Sequence, residues 1–184
     1  MEIVFFGSTG QKVSRSGLGG EGVLRTFGRA KEAEAVIREA VDQGITYFDS
    51  ARAYSDSEIY YGNIWGKNSA LRQSIFQTSK SASRDRKGAL ADLHHSLNRL
   101  QTDYLDLWQI HDVRTENDLA AISRPGGALE AFMEAKEKGL VRYIGVTGHH
   151  DPSVLTRAVA SWPVDSVLLP VNPIEALLGG FLTR

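Results

Sequence analysis

From about residue 30 onward, short apolar runs alternate with stretches of helical periodicity, and this alternation restricts the chain to very few folds. Ala33, Val36, Ile37, Ala40 and Val41 recur at helical spacing and predict a helix that ends before Gly44. The run from Ile45 to Phe48 then reads as a strand. Ile75 to Ser79 is a second such run, Leu90, Leu93, Leu97 and Leu100 mark the next helix, and Tyr104 to Ile110 is another strand. Leu129, Phe132 and Met133 share a helix face stopped by Gly139, ahead of a strand over Val141 to Val146. Asp151-Pro152 supplies an N-cap and a first-turn proline for a helix reaching about Ala160, and Val164 to Val171 follows as a strand. Such alternation gives an α/β fold in which helices cover a parallel sheet. Upstream, Glu2 to Gly7 and Gln11 to Ser16 flank the turn tripeptide Ser8-Thr9-Gly10 and predict a β-hairpin. Counting the run before Gly17, about six strands are expected. The expectation is a single domain over residues 1–184: an incomplete parallel (β/α) barrel of TIM type, preceded by the hairpin. An eight-stranded barrel typically needs about 250 residues, so the last two strands are expected to be absent and the sheet to keep exposed edges. Arg114 to Gly127 reads as the longest loop.

Net charge narrows the class of partner. The formal charge is -1 and neither sign forms a long block, which argues against nucleic acid and anionic membranes and for a small molecule. With no cysteine, there is no disulfide framework, thiolate metal site or cysteine nucleophile, and the composition is compatible with a reducing cytosol. Ile3 to Phe6 is too short for a signal-peptide core or a membrane span, so a cytoplasmic location is expected.

Four polar residues, Asp49, Tyr54, Lys80 and His111, lie at or just past the C-terminal ends of apolar runs. In parallel α/β architectures those ends converge on one crevice, so residues far apart in sequence can form a single proton-transfer site. Each residue alone has a duller explanation: a turn cap for Asp49, packing for Tyr54, solvated surface for Lys80, a core or loop histidine for His111. Their joint occurrence in order points to an enzyme.

The segments Tyr47-Phe48-Asp49-Ser50-Ala51-Arg52-Ala53-Tyr54, Thr78-Ser79-Lys80 and Asp106-Leu107-Trp108-Gln109-Ile110-His111 resemble the aldo-keto reductase family. Ser96-Leu97 with Arg99-Leu100, and Gly139 followed by Arg142-Tyr143-Ile144-Gly145-Val146, extend the resemblance from about Gln11 to Asn172. The resemblance implies reduction of an aldehyde or ketone by NADPH, with NADH as an alternative donor. It assigns Tyr54 as general acid, Lys80 as the ammonium that lowers the tyrosine pKa, Asp49 as the counter-charge of Lys80, and His111 as a donor to the substrate carbonyl. Gly20 in the first βα loop, Asp49 and Thr147 are the implied cofactor contacts. A different class of reading is a catalytically silent partial barrel whose exposed edges pair with a second chain or a second copy.

Several features compete with these assignments. Gly17-Leu18-Gly19-Gly20-Glu21-Gly22 satisfies the glycine pattern of a Rossmann-type dinucleotide fold, yet clear helical periodicity starts only near Ala30, and Asp49 falls late for the ribose-binding acid. Asp106 sits inside an apolar run on the opposite strand face from His111, and a structural ion pair with an arginine or lysine is expected there. The pairs His94-His95 and His149-His150 lack helical metal-site spacing and carboxylate companions, so no metal is expected. His95 is expected at a helix surface, and His149 at the mouth of the site, within reach of cofactor or substrate. The family's usual serine-asparagine pair for the nicotinamide carboxamide is here Thr147-Gly148, and a glutamine expected near the next strand is Leu168. The resemblance places the grip on the adenosine phosphate after the last two strands, beyond the segments found here.

Overall fold

The computed structural model describes residues 1–172. A two-stranded antiparallel hairpin, β1 (Ile3–Phe5) and β2 (Lys12–Ser14), precedes a six-stranded parallel sheet. The sheet strands are β3 (Gly17–Leu18), β4 (Tyr47–Asp49), β5 (Phe76–Ser81), β6 (Leu105–Ile110), β7 (Val141–Thr147) and β8 (Ser166–Leu168). They lie side by side in chain order. Between them run α1 (Ala30–Asp42), α2 (Ser57–Trp65), α3 (Ser69–Ser74), α4 (Arg86–Leu100), α5 (Glu116–Ser123), α6 (Ala128–Glu137) and α7 (Pro152–Ser161). Consecutive order with helical crossovers curls the sheet into a half-barrel. The order also removes the Rossmann alternative, because a doubly wound sheet reverses its strand order at a switch point and this sheet has none.

Strand alternation divides the side chains into two layers. On the convex face Phe48, Trp108, Ile110, Ile144 and Val146 join the helices in the main core, where Trp108 stacks on Phe132 of α6 at 3.6 Å between centroids. On the concave face Phe76 and Leu107 form a smaller cluster with Val13 of the hairpin, flanked by Phe6, Tyr47 and Tyr143. The hairpin therefore plugs the N-terminal end of the half-barrel, leaving its C-terminal end open to chemistry. Ser14 and Thr46 fasten it by a reciprocal pair of bonds, Ser14 N–H to Thr46 Oγ1 at 2.8 Å and Thr46 N–H to Ser14 Oγ at 2.9 Å.

The structure departs from the sequence expectation in three places. The run before Gly17 belongs to the hairpin, and the first sheet strand is Gly17–Leu18, where a Cβ on Gly17 would come within 2.8 Å of the Tyr47 ring. The expected loop from Arg114 to Gly127 contains α5, closed at its start by a capping box in which Thr115 and Asp118 satisfy each other's backbone N–H groups. Finally, α2 and α3 were not expected at all. Helix α2 is buried on nearly every side, so it carries no polar stripe to betray its period, and Gly62 lies where a Cβ would strike the Arg99 carbonyl of α4. The expected absence of the last two barrel strands concerns residues outside those described.

Asp106 has the arginine partners its position required. Its carboxylate meets Arg72 and Arg142, each at 2.8 Å, and accepts the Gln77 N–H at 2.9 Å on the convex face. Arg72 also donates to the Tyr104 carbonyl, so the network ties α3 to the start of β6. Removing one member of such a buried pair leaves the other charge uncompensated. Asp106→Ala is expected to lower unfolding free energy by about 3–5 kcal/mol in urea titrations, and a loss below about 1 kcal/mol would contradict this account.

Candidate active site

Each of the four expected side chains stands at the C-terminal end of the half-barrel. Asp49 closes β4, Lys80 is the penultimate residue of β5, His111 follows β6 directly, and Tyr54 lies in the turn between β4 and α2. Lys80 is almost fully buried. Its ammonium donates to Asp49 Oδ2 at 2.5 Å and to the Ser50 carbonyl at 2.7 Å, while Thr78 Oγ1 donates to Asp49 Oδ1 at 2.5 Å. Above this pair the Tyr54 ring meets the His111 imidazole edge to face, with centroids 5.8 Å apart. Lys80 Nζ lies 4.7 Å from the Tyr54 ring centroid, and the Arg25 guanidinium lies 5.0 Å from it. The phenol, ammonium, carboxylate and imidazole thus form one cluster of neighbouring groups.

Electrostatically the cluster differs from the expected arrangement. The Tyr54 hydroxyl is pushed up to about 12, first by burial and then by the charge of Asp49, with Glu21 and Asp112 adding to it and Arg25 opposing. Lys80 does not bring it down as expected. Its charge is spent on Asp49 and Ser50, and it faces the ring rather than bonding to the hydroxyl. Tyr54 is therefore a protonated phenol throughout the neutral range. His111 moves the opposite way, down to about 4, because burial and the Lys80 charge both disfavour an imidazolium, against weaker support from Asp112 and Asp49.

Of the supporting residues, Arg84 had no sequence signal of its own, and Arg99 stood in the sequence only as part of the resemblance, without a role. Arg84, in the loop after β5, donates to the carbonyls of His111 and Asp112, both at 2.8 Å, and its Nε meets Asp118 of α5 at 2.9 Å. It holds the turn that carries the imidazole. The Tyr54 turn is held from the other side: Arg99 of α4 donates to the carbonyl of Ser55, whose φ of 39° is unusual for a side-chain-bearing residue. Arg99 also faces the fully buried Glu58 at 3.3 Å, and Glu58 accepts from Ser79 at 2.6 Å. Only contacts between elements reveal these roles.

The expected cofactor contacts sit as follows. Gly20 packs against the site itself, since a Cβ there would collide with Ser57, come 2.9 Å from the Asp49 carbonyl and 3.1 Å from the Tyr54 ring. The Thr147 hydroxyl accepts the Asp112 N–H at 2.9 Å, tying the end of β7 to the turn after β6. Beside it, Gln109 Oε1 and Ser166 Oγ are buried without hydrogen-bond partners among the described residues, on strands flanking Gly145. His149 and His150 do have a carboxylate companion, contrary to expectation. The fold brings Asp112 within 3.4 Å and 3.5 Å of their Nε2 atoms. His94 and His95 are exposed on α4 as expected.

A sequence model of the Aldo/keto reductase family matches residues 17–175. The chain belongs to this family. Among similar curated proteins, the aldo-keto reductase YhdN of Bacillus subtilis is 32% identical over 191 aligned positions, covering 95% of this chain and 55% of that protein. The L-galactose dehydrogenase of Arabidopsis thaliana is 32% identical over 162 positions, covering 80% of this chain and 49% of that one. The chain thus spans about half the length of the curated relatives it matches. Among solved structures, the thermostable aldo-keto reductase Tm1743 superposes with a TM-score of 0.77 at 29% identity, over 94% of this chain and 63% of its own. The holo form of aldo-keto reductase AKR11C1 from Bacillus halodurans shares the fold, with a TM-score of 0.79 at 23% identity, over 98% and 64% of the two chains.

Within this aldo/keto reductase framework the His111 environment gives a direct test. The folded value of about 4 lies below the ordinary histidine value of 6.5, so the folded state binds fewer protons between them, and stability present above pH 6.5 is lost as pH falls towards 4. Nitrogen-detected NMR should find the His111 imidazole neutral down to about pH 5. A midpoint near the ordinary histidine value would contradict the burial and the Lys80 charge described here.

Proposed function

We propose that the chain carries the catalytic half of a reductase that converts an aldehyde or ketone to an alcohol at the expense of NADPH, with NADH as the alternative donor. The observation that carries this reading is the meeting of Tyr54, Lys80, Asp49 and His111 in one cluster at the C-terminal end of the half-barrel. A nicotinamide cofactor, when bound, supplies the hydride. The orphaned Gln109 Oε1 and Ser166 Oγ fit it, because a buried acceptor and a buried hydroxyl without partners suit the carboxamide that Gly148 cannot hold. The structurally similar Bombyx mori aldo-keto reductase has been solved in complex with NADP, which supports NADP as the first choice.

The residues then divide the work. As the carbonyl oxygen gains negative charge, the Tyr54 hydroxyl gives it a proton; an alkoxide is a stronger base than a phenolate, so even a phenol raised to about 12 delivers that proton. Lys80 lies close enough to stabilise the phenolate left behind, which is absent before transfer and present after it. Asp49 and Thr78 hold the ammonium in place. Neutral His111, edge-on to Tyr54, donates a hydrogen bond to the same oxygen and aligns the carbonyl. Protonation of His111 is not required, consistent with its depressed pKa.

The test mixes the protein with NADPH and a reactive aromatic aldehyde and follows loss of the reduced-nicotinamide absorbance. Tyr54→Phe should lower the rate by about 100-fold or more while leaving NADPH binding, read by fluorescence, unchanged. A Tyr54→Phe variant with full activity would remove Tyr54 from the role of acid. Failure of the unaltered chain both to bind NADPH and to consume it would favour the silent scaffold, with partners meeting the edges of the sheet.

A further inference from the structure

We propose that Asp112, His149 and His150 form a binding site for a divalent d-block cation of the zinc type, at the rim of the half-barrel beside His111. Each residue offers one donor atom, a carboxylate oxygen or an imidazole nitrogen, and the three donors lie within 4.8 Å of one another. Asp112 Oδ1 stands 3.4 Å from His149 Nε2 and 3.5 Å from His150 Nε2. Those separations are long for hydrogen bonds but fit coordination: metal–nitrogen and metal–oxygen bonds of about 2.0–2.2 Å put neighbouring donors of a tetrahedron about 3.3–3.5 Å apart. The two rings lie side by side, with centroids 4.5 Å apart and planes inclined by 38°.

The carboxylate is prepared on its far side. Asp112 Oδ2 accepts from Arg114 Nε at 2.6 Å, whereas Oδ1 is buried and has no hydrogen-bond partner, which leaves one oriented oxygen facing the imidazoles. The backbone carrying it is pinned as well. Asp112 has φ of 56°, its N–H donates to Thr147 Oγ1 at 2.9 Å, its carbonyl accepts from Arg84, and Val113 N–H donates to the Thr147 carbonyl at 2.8 Å. Because Thr147 stands two residues before His149, the same bonds fix the spacing between the two ligand-bearing segments. Gly148 allows the close approach, since a Cβ there would come within 2.7 Å of the Val113 carbonyl. The backbone segments that carry the donors are thus held together by the protein's own hydrogen bonds, without needing the ion to gather them.

Donor chemistry selects the ion. Two imidazoles with one carboxylate favour zinc, cobalt, nickel or ferrous iron over magnesium and calcium, which prefer all-oxygen shells. Three protein donors leave a fourth position for water or for an oxygen of a bound small molecule. The site stands on these three residues alone and is independent of the proposed carbonyl reduction.

Calorimetric titration of the protein with zinc chloride, and cobalt titration followed by its visible tetrahedral absorption, test the proposal. The expected result is saturable binding of one ion, weakened about 100-fold or more by Asp112→Asn, His149→Gln or His150→Gln. A His150→Cys variant, which keeps a ligand, should retain cobalt binding and gain a thiolate-to-metal band, an outcome that damage to the fold cannot mimic. The double variant His94→Gln/His95→Gln should bind as the parent does. Absence of saturable binding in the unaltered protein would overturn the proposal, as would binding that survives all three single substitutions or depends on His94 and His95.

Discussion

A fully buried ammonium must be neutralised where it lies, and Lys80 imposes that requirement on the whole C-terminal end of the half-barrel. Asp49 answers it from the neighbouring strand, Thr78 holds the other carboxylate oxygen, and the Ser50 carbonyl takes a further ammonium proton. The electrostatics around the pair follow from it. Asp49 adds to the burial that keeps the Tyr54 phenol protonated, and Lys80 adds to the burial that keeps His111 neutral. One ion pair therefore sets a neutral acid and a neutral imidazole side by side, a state suited to giving up a proton and to donating a hydrogen bond.

Around that pair the scaffold works through charged clamps as well as apolar packing. Arg84 grips the turn after β6, Arg99 grips the turn after Tyr54 while facing the buried Glu58, and Arg72 with Arg142 encloses Asp106 on the convex face. Each clamp joins elements far apart in the chain: Arg84 the loop after β5 to the turn after β6, Arg99 helix α4 to the Ser55 turn and α2, and Arg72 with Arg142 helix α3 and β7 to β6. Guanidinium groups suit this use because their rigid fork satisfies a carbonyl and a carboxylate together. The hairpin contributes from the opposite end, packing Val13 and Phe6 against Phe76, Leu107 and Tyr47 on the concave face, away from the strand C-termini that carry the site.

Much of this was legible in the sequence. The periods of α1, α4 and α6 announced themselves because each helix presents one face to the core and another to solvent, α7 was marked by its Asp151-Pro152 start, and β4 to β7 stood out as short apolar runs. Helix α2 was not legible, because burial on almost all sides erases the contrast that reveals a period. Helix α5 was hidden for another reason: its Thr115–Asp118 cap was in plain view, but the surrounding charges and the Pro125-Gly126-Gly127 stop read as a loop. Of the rim cluster the histidine pair was visible, yet nothing local connected it to Asp112, which the sequence did not single out.

By itself the sequence determined strands β4 to β7, helices α1, α4, α6 and α7, the parallel α/β class and the positions of Asp49, Tyr54, Lys80 and His111 at or just past strand ends, since periodicity and strand termination are local properties of a chain. Only the tertiary structure decided the sign of the Tyr54 shift, the orphaned state of Gln109 and Ser166, and the companion of the histidine pair. Those depend on distances between residues far apart along the chain, and in a buried pocket an ångström or two decides whether a charge lowers a neighbour's pKa or is consumed by its own counter-ion.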